Sequence, residues 1–410
     1  IFLTSIGEYM ERATKVTMGP RSFDVKHNRD SPTDQDGNPQ QATGYVNNII
    51  ECVHGGMYAP TFNGVFNYNG IDYFNTYKPT KLEPVANGKS GTVDKVIGHI
   101  EHLIDDEKER LILTSYLAHC VQFPGKKIHW ALMLQGVEGD GKSFFAEMMK
   151  YMLGETNCQS IGAEVLEEQY TPWSEGNCLV VIEEVKMDNY RKYEVLNRLK
   201  PYITNPTISV RKMYTDVYEA VNTTNYLALT NFKDALPIGD NDRRYGIIFS
   251  RWQSKDKLEA WMSANTNYYS DLYESMRANQ GELLHWLLNF NIPDWFMKLN
   301  RAPDTRAKQM MVDMAKSSDY LAVEDAINKF NCEDISDHVV NVTKLSRMAT
   351  CTFEDDAAFF PKTSKIKNIM ADMGYQPIGR YKDADRKNQV IYCKDDSRKA
   401  ADFKAESVPN

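Results

Sequence analysis

Leu132-Met133-Leu134-Gln135-Gly136-Val137-Glu138-Gly139-Asp140-Gly141-Lys142-Ser143-Phe144-Phe145 is the stretch whose reading decides the fold. An apolar run predicts a strand, Gly136, Gly139 and Gly141 break it, and Gly-Lys-Ser opens a segment of helical character through Met149. The pattern is G-x-x-x-x-G-K-S between a strand and a helix, the setting that a phosphate-binding loop requires. Glycine lets the backbone curl until several N–H groups face one anion. The N-terminus of the following helix adds positive partial charge. Gly136, Val137, Glu138, Gly139, Asp140, Gly141, Lys142, Ser143 and Phe144 are therefore the expected nucleotide-binding residues. Lys142 is expected to reach the β- and γ-phosphates of ATP, and Ser143 to hold Mg²⁺.

Downstream, Cys178-Leu179-Val180-Val181-Ile182-Glu183-Glu184-Val185 reads as a buried strand that ends on two carboxylates. Ligands of an open parallel sheet bind beyond the carboxyl ends of its strands. Glu183 is placed to hold Mg²⁺ and Glu184 to orient and deprotonate an attacking water. Asn225-Tyr226-Leu227-Ala228-Leu229-Thr230-Asn231 is a further apolar strand, and Asn231 either positions that water or simply ends the strand. Arg243 and Arg244 precede apolar Gly246-Ile247-Ile248-Phe249. They either face a neighbouring subunit's nucleotide or bridge on the surface to Asp240 or Asp242. Spacing to Phe249 leans slightly toward Arg244. Ile208-Ser209-Val210-Arg211-Lys212-Met213-Tyr214 offers cations and an aromatic ring at a turn. Arg211, Lys212 and Tyr214 suit the backbone and bases of nucleic acid, or belong to an ordinary exposed hairpin.

The bulk numbers set bounds. A chain of 410 residues exceeds one typical domain. Hydrophobic content of 42% with 25% charged residues is that of an ordinary globular protein. No apolar run approaches the ~20 residues of a membrane span, and no secretory leader opens the chain, so a cytoplasmic protein is expected. The chain starts at Ile1 and reads as a fragment or processed piece. The 7 cysteines are scattered without a C-x-x-C, which points to reduced thiols. A net charge of −8 counts mildly against nucleic acid but leaves room for a basic lining.

The expected organisation follows the chain. Residues 1–90 form an accessory region of short strands, with Asn69-Gly70 as a hairpin turn. Residues 91–127 form a helical collar, in which His99 and His102, one turn apart, are a packed helix face more readily than a metal pair. Residues 128–255 alternate strand and helix as a parallel sheet does. Residues 256–316 form a helical extension whose end, Arg301–Ser318, is polar and linker-like. Residues 317–397 carry three helices and a hairpin, either a winged helix or a small α+β cap, with Lys362, Lys365 and Lys367 on the third helix. Residues 398–410 are a polar tail.

The order of these pieces resembles a superfamily 3 helicase, a class of AAA+ ATPase of viruses, phages and mobile elements. The matching segments are Gly136–Ser143, Glu183-Glu184, Lys200 through Tyr214, Asn231 and Arg243-Arg244. Leu117 through Lys127, Gly281-Glu282-Leu283-Leu284 and Ala302-Pro303-Asp304-Thr305 are similar to phage primase-helicases. Glu183 departs from the Asp that many relatives carry there. The resemblance implies an α/β AAA+ P-loop core with a helical N-terminal collar and a C-terminal winged-helix-like domain. It further implies ATP and Mg²⁺ at the interfaces of a homo-hexamer, single-stranded or forked DNA in its channel, and a fused primase–polymerase domain. The expectation is an ATP-dependent DNA helicase. The alternatives are a nucleotide-dependent DNA-binding or translocating ATPase that does not unwind, and a protein-remodelling switch.

Overall fold

The computed structural model describes the chain except at residues 39, 48, 87, 184–190, 214–215, 234, 236–237, 239–241, 316–317, 333, 353–360, 362, 383–387 and 395–410. It divides into two units, Ile1–Val312 and Asp313–Asn410.

The first unit is built on five parallel strands. Their order across the sheet is Tyr245–Phe249, Ala131–Gln135, Asn225–Thr230, Leu179–Glu183 and Cys158–Gly162. The three central strands read as unbroken apolar runs because both faces of the sheet are covered. Successive side chains point to opposite faces, and two cores record it. Leu132, Leu134, Leu179, Val181, Leu227, Leu229 and Ile248 pack with helices Thr92–Leu103, Glu107–Gln122, Phe144–Leu153 and Gln280–Asn289. Ala131, Met133, Val180, Ile182, Tyr226, Ala228 and Ile247 pack on the other face. There they meet Leu199 and Ile203 of helix Arg191–Thr204, and Ile208 and Val210 of the hairpin Thr207–Val210/Tyr218–Val221. The chain thus has the mixed α/β class with a parallel sheet and flanking helices.

One expectation is corrected here. The stretch after Arg301 is not a linker: helix Arg306–Ala315 buries Ala307, Met311 and Val312 against the second core. Ala302 N–H donates to the Arg243 carbonyl (2.8 Å) and the Thr305 hydroxyl to the Ile247 carbonyl, so the polar residues are spent on strapping the sheet edge. The first ninety residues fold into two small sheets. Within one of them Asn69 (φ +52°) and Gly70 (φ +83°) make the turn between Val65–Tyr68 and Ile71–Asn75, the backbone that such a two-residue turn demands. The Tyr58 hydroxyl reaches Asn157 (2.9 Å) and Cys178 (3.2 Å), tying this region to the main sheet.

The second unit has helices Ser318–Lys329, Val342–Thr352 and Thr363–Asp372 around Val323, Ile327, Leu345, Ile366 and Met370. Its antiparallel sheet runs Val339–Asn341, Asn388–Cys393, Gln376–Lys382. Residues 383–387, between the last two of these strands, and Lys362 lie outside the described residues, while Lys365 pairs with Asp319 at 3.0 Å. No helix among the described residues is long and apolar enough to cross a membrane.

Candidate phosphate-binding site

The site is assembled where three neighbouring strands end together. Gly139 (φ +85°) and Gly141 (φ +92°) carry the turn after strand Ala131–Gln135 through backbone conformations that other residues avoid. Ser143 then caps helix Phe144–Leu153. Glu138, Gly139, Asp140, Gly141, Lys142 and Ser143 line a cavity of about 250 Å³. Glu183 enters it from the end of strand Leu179–Glu183, and Leu229, Thr230 and Asn231 from the end of strand Asn225–Thr230. Small-molecule sites more often measure ~300–1,000 Å³, so this volume suits phosphates rather than a whole nucleotide.

Among the described residues, the cavity lining carries one cation, Lys142, and the carboxylates of Glu138, Asp140 and Glu183. The Lys142 ammonium is 8% exposed and lies 3.2 Å from the Gly136 carbonyl, 3.0 Å from that of Val137 and 3.3 Å from Asp140 Oδ1. Asp140 is fully buried; burial pushes its carboxyl up despite the Lys142 ammonium and N–H. Asn231 Oδ1 is buried with no hydrogen-bond partner among the described residues. Such an orphan beside a cavity calls for a ligand or water. Ser143 and Glu183 supply the hard oxygens that Mg²⁺ prefers, and Lys142 with the loop amides supplies the donors that phosphates need. The residues fit the phosphates of ATP with their Mg²⁺.

Not every expected residue lines this cavity. Gly136 and Val137 serve through the carbonyls that hold Lys142. The Phe144 ring is wholly buried in the core, and its backbone N–H donates to the Gly141 carbonyl at 3.0 Å. Glu184 and Tyr214 lie outside the described residues. Arg243 and Arg244 do not line the cavity. Arg243 is exposed, whereas Arg244 is half-buried with its N–H on Asp242 (2.7 Å) and its carbonyl taking the Ala131 N–H (2.7 Å). The hairpin cations are engaged. Lys212 Nζ is 2.7 Å from Glu175, whose carboxylate also accepts from Tyr218. Burial opposes the Lys212 charge, but these hydrogen bonds outweigh it and raise its pKa. The Arg211 guanidinium faces the Gln169 side-chain amide, which accepts from it when its oxygen is turned toward the guanidinium, and the Arg211 backbone N–H donates to Thr171 Oγ1 at 3.1 Å.

Sequence reasoning missed what seats the loop. His99 reaches it from helix Thr92–Leu103, and the Trp252 carbonyl and the Tyr269 ring reach it too, with Tyr268 bonded to His99 and His102 to the Trp252 indole behind them. Helical spacing placed the histidines on one face, yet nothing local says that this face meets a glycine carbonyl. No group of three or more His, Cys, Asp or Glu side chains suited to a metal ion occurs among the described residues.

Residues 134–244 match a family of unknown function (DUF5906). A DNA primase-polymerase of Nitratiruptor phage NrS-1 is 29% identical over 205 residues, 49% of this chain and 28% of that protein. The chain thus matches under a third of that relative's length. An apo structure of the NrS-1 C-terminal region superposes with a TM-score of 0.69 at 20% identity, covering 96% of this chain and 95% of that one. The A form apo structure of that region gives 0.66 at 19%, with the same coverage; at such identity the likeness is one of fold. These findings overturn the expected function. The expected helicase function is corrected on this finding: the relative is named a DNA primase-polymerase.

Proposed function

We propose that this chain is the nucleotide-binding C-terminal part of a phage replication protein of the primase-polymerase type. It takes ATP with Mg²⁺ at the loop Gly136–Phe144 and works on DNA. One observation carries this reading: Lys142, Ser143, Glu183 and the orphaned Asn231 oxygen converge on one cavity beyond the carboxyl ends of adjacent parallel strands. An AAA+ type of P-loop core is part of the same proposal. Lys142 and the loop amides hold the phosphates, Ser143 and Glu183 the Mg²⁺, and Asn231 a water or phosphate oxygen. Glu184 adjoins Glu183 in sequence and belongs to the same candidate set. Exposed Arg243 is the better placed of the two arginines to meet the phosphate of a second copy in an assembly. Arg211 and Lys212 are the candidates for the DNA backbone.

Binding of a fluorescent ATP analogue, with and without Mg²⁺, tests the reading. Lys142→Ala is expected to weaken binding at least ~10-fold, the loss of one charge-assisted contact. Ser143→Ala is expected to remove the Mg²⁺ dependence while leaving residual affinity. Equal affinity of wild type and Lys142→Ala moves the nucleotide elsewhere.

A further inference from the structure

We propose that His99 and His102 are positioning residues that fasten the two ends of the phosphate loop to helix Thr92–Leu103. His99 is wholly buried. Its Nε2 lies 3.1 Å from the Gly141 carbonyl and its Nδ1 3.1 Å from the Tyr268 hydroxyl. A carbonyl only accepts, so Nε2 carries the proton and Nδ1 accepts from Tyr268. One turn on, His102 Nε2 lies 3.1 Å from the Trp252 indole nitrogen. An indole N–H only donates, so here Nε2 is bare and the proton sits on Nδ1. The Trp252 carbonyl in turn accepts the Val137 N–H at 3.1 Å. One helix therefore holds Gly141, at the end of the loop, and Val137, at its start, through two neutral imidazoles of opposite tautomer.

The first of these contacts sets the geometry of the phosphate cradle. In a trans peptide the carbonyl and the next N–H point in opposite directions. The Gly141 carbonyl accepts from both His99 and the Phe144 N–H (3.0 Å), and the Lys142 N–H of the same peptide points the opposite way, where it meets Asp140 Oδ1 at 3.1 Å. The loop is also seated without slack: a Cβ on Gly141 would stand 2.6 Å from both the His99 and the Tyr269 ring. A histidine that merely filled the core would not need a donor aimed at this carbonyl, and leucine would replace it.

The inference rests on the nucleotide-binding reading, and its test separates the two. Three readouts are taken on wild type, His99→Leu, His99→Gln, His102→Ala and Tyr268→Phe. They are hydrogen exchange of the 136–143 amides in nucleotide-free protein, affinity for the fluorescent ATP analogue, and the ¹⁵N shifts that report imidazole tautomers. His99→Leu is expected to speed loop exchange and weaken the analogue about 10-fold, the worth of one buried hydrogen bond. Gln, whose Nε2–H can stand in for the ring donor, is expected to restore most of both. His102→Ala is expected to give a smaller loss, and Tyr268→Phe to leave the His99 proton on Nε2, where the Gly141 carbonyl holds it, while loop exchange rises modestly. If wild type binds no nucleotide, the functional reading fails, and loop exchange alone still decides the clasp. Wild-type exchange in His99→Leu, or a His99 proton found on Nδ1 in wild type, overturns it. Should His99→Leu not fold, wild-type tautomer and Tyr268→Phe exchange decide: a His99 proton on Nδ1, or unchanged loop exchange in Tyr268→Phe, overturns it.

Discussion

The phosphate loop and the hairpin Thr207–Val221 each carry a lysine expected to meet phosphate, and the molecule prepares the two in opposite ways. Lys142 is 8% exposed, and its ammonium is held by two backbone carbonyls and a buried aspartate inside the loop itself. Lys212 is far more open, 42% exposed at the side chain, and it is held by Glu175 from another part of the chain. The first arrangement keeps a cation ready inside a rigid cradle. The second is a surface ion pair, which contributes little to stability and is easily exchanged. Rigidity at one region and exchange at the other is a contrast that substitutions can break.

The largest effect is expected at Gly141. Its φ of +92° and the ring atoms 2.6 Å from any added Cβ leave no room for alanine. Gly141→Ala should cost about 3 kcal/mol of stability or more, combining backbone strain with overpacking. It should also abolish measurable binding of the ATP analogue. Met213→Ala at the hairpin turn, where the side chain is 60% exposed, should stay within ~0.5 kcal/mol of wild type. Urea unfolding of the two variants measures the contrast, and a tolerated Gly141→Ala would mean that the loop is not tightly seated.

Acid should act on the loop next. Burial holds His99 at about 4, and burial helped by the Arg251 charge holds His102 at about 4. Both folded values lie below the unfolded value of 6.5. The unfolded chain therefore binds more protons between those limits, so stability is full above about 6.5 and is lost as pH falls toward 4. For fully buried His99 the loss is on the order of 3 kcal/mol at the acid end. Lys212 has the opposite sign: its pKa is raised, so its contribution is present below the ordinary lysine value and is lost on the alkaline side. Urea midpoints at pH 7 and pH 5 should fall for wild type and fall less for His99→Gln. Equal falls would mean that another group carries the acid sensitivity.

How far sequence reaches follows from the same contrast. The loop was legible because its chemistry is local: three glycines, a lysine and a serine between a strand and a helix set their own backbone. The strands ending at Glu183 and Asn231 were legible because apolar runs covered on both faces leave little else to be. Partners brought from far along the chain were not legible. Glu175 on Lys212, Gln169 on Arg211 and His99 on Gly141 are products of topology, and no periodicity encodes them. Helix Arg306–Ala315 was missed for a different reason. Polar neighbours in the stretch from Arg301 to Ser318 outweigh the Ala307, Met311, Val312 stripe that buries it. The function was misread because a loop motif bears at most on a ligand, and the resemblance then supplied an activity that the loop does not encode.

The smallest expected effect is also the most specific to the hairpin. Glu175→Gln keeps the shape of the side chain and removes the charge that faces Lys212 and Tyr218. Because the pair is half open to solvent, stability should change by less than about 1 kcal/mol. If Lys212 meets the DNA backbone, the wild-type protein must exchange a carboxylate for a phosphate at that ammonium, and the variant need not. Affinity for single-stranded DNA should then rise about 2–3-fold at low salt, and the slope of log affinity against log salt should steepen by up to ~0.7 per chain. Binding of the ATP analogue should be unchanged, since Glu175 does not line the loop cavity. Titrations of a labelled oligonucleotide at several salt concentrations measure both terms. A slope and affinity identical to wild type would take Lys212 off the DNA and leave the hairpin as a purely structural element of the second core.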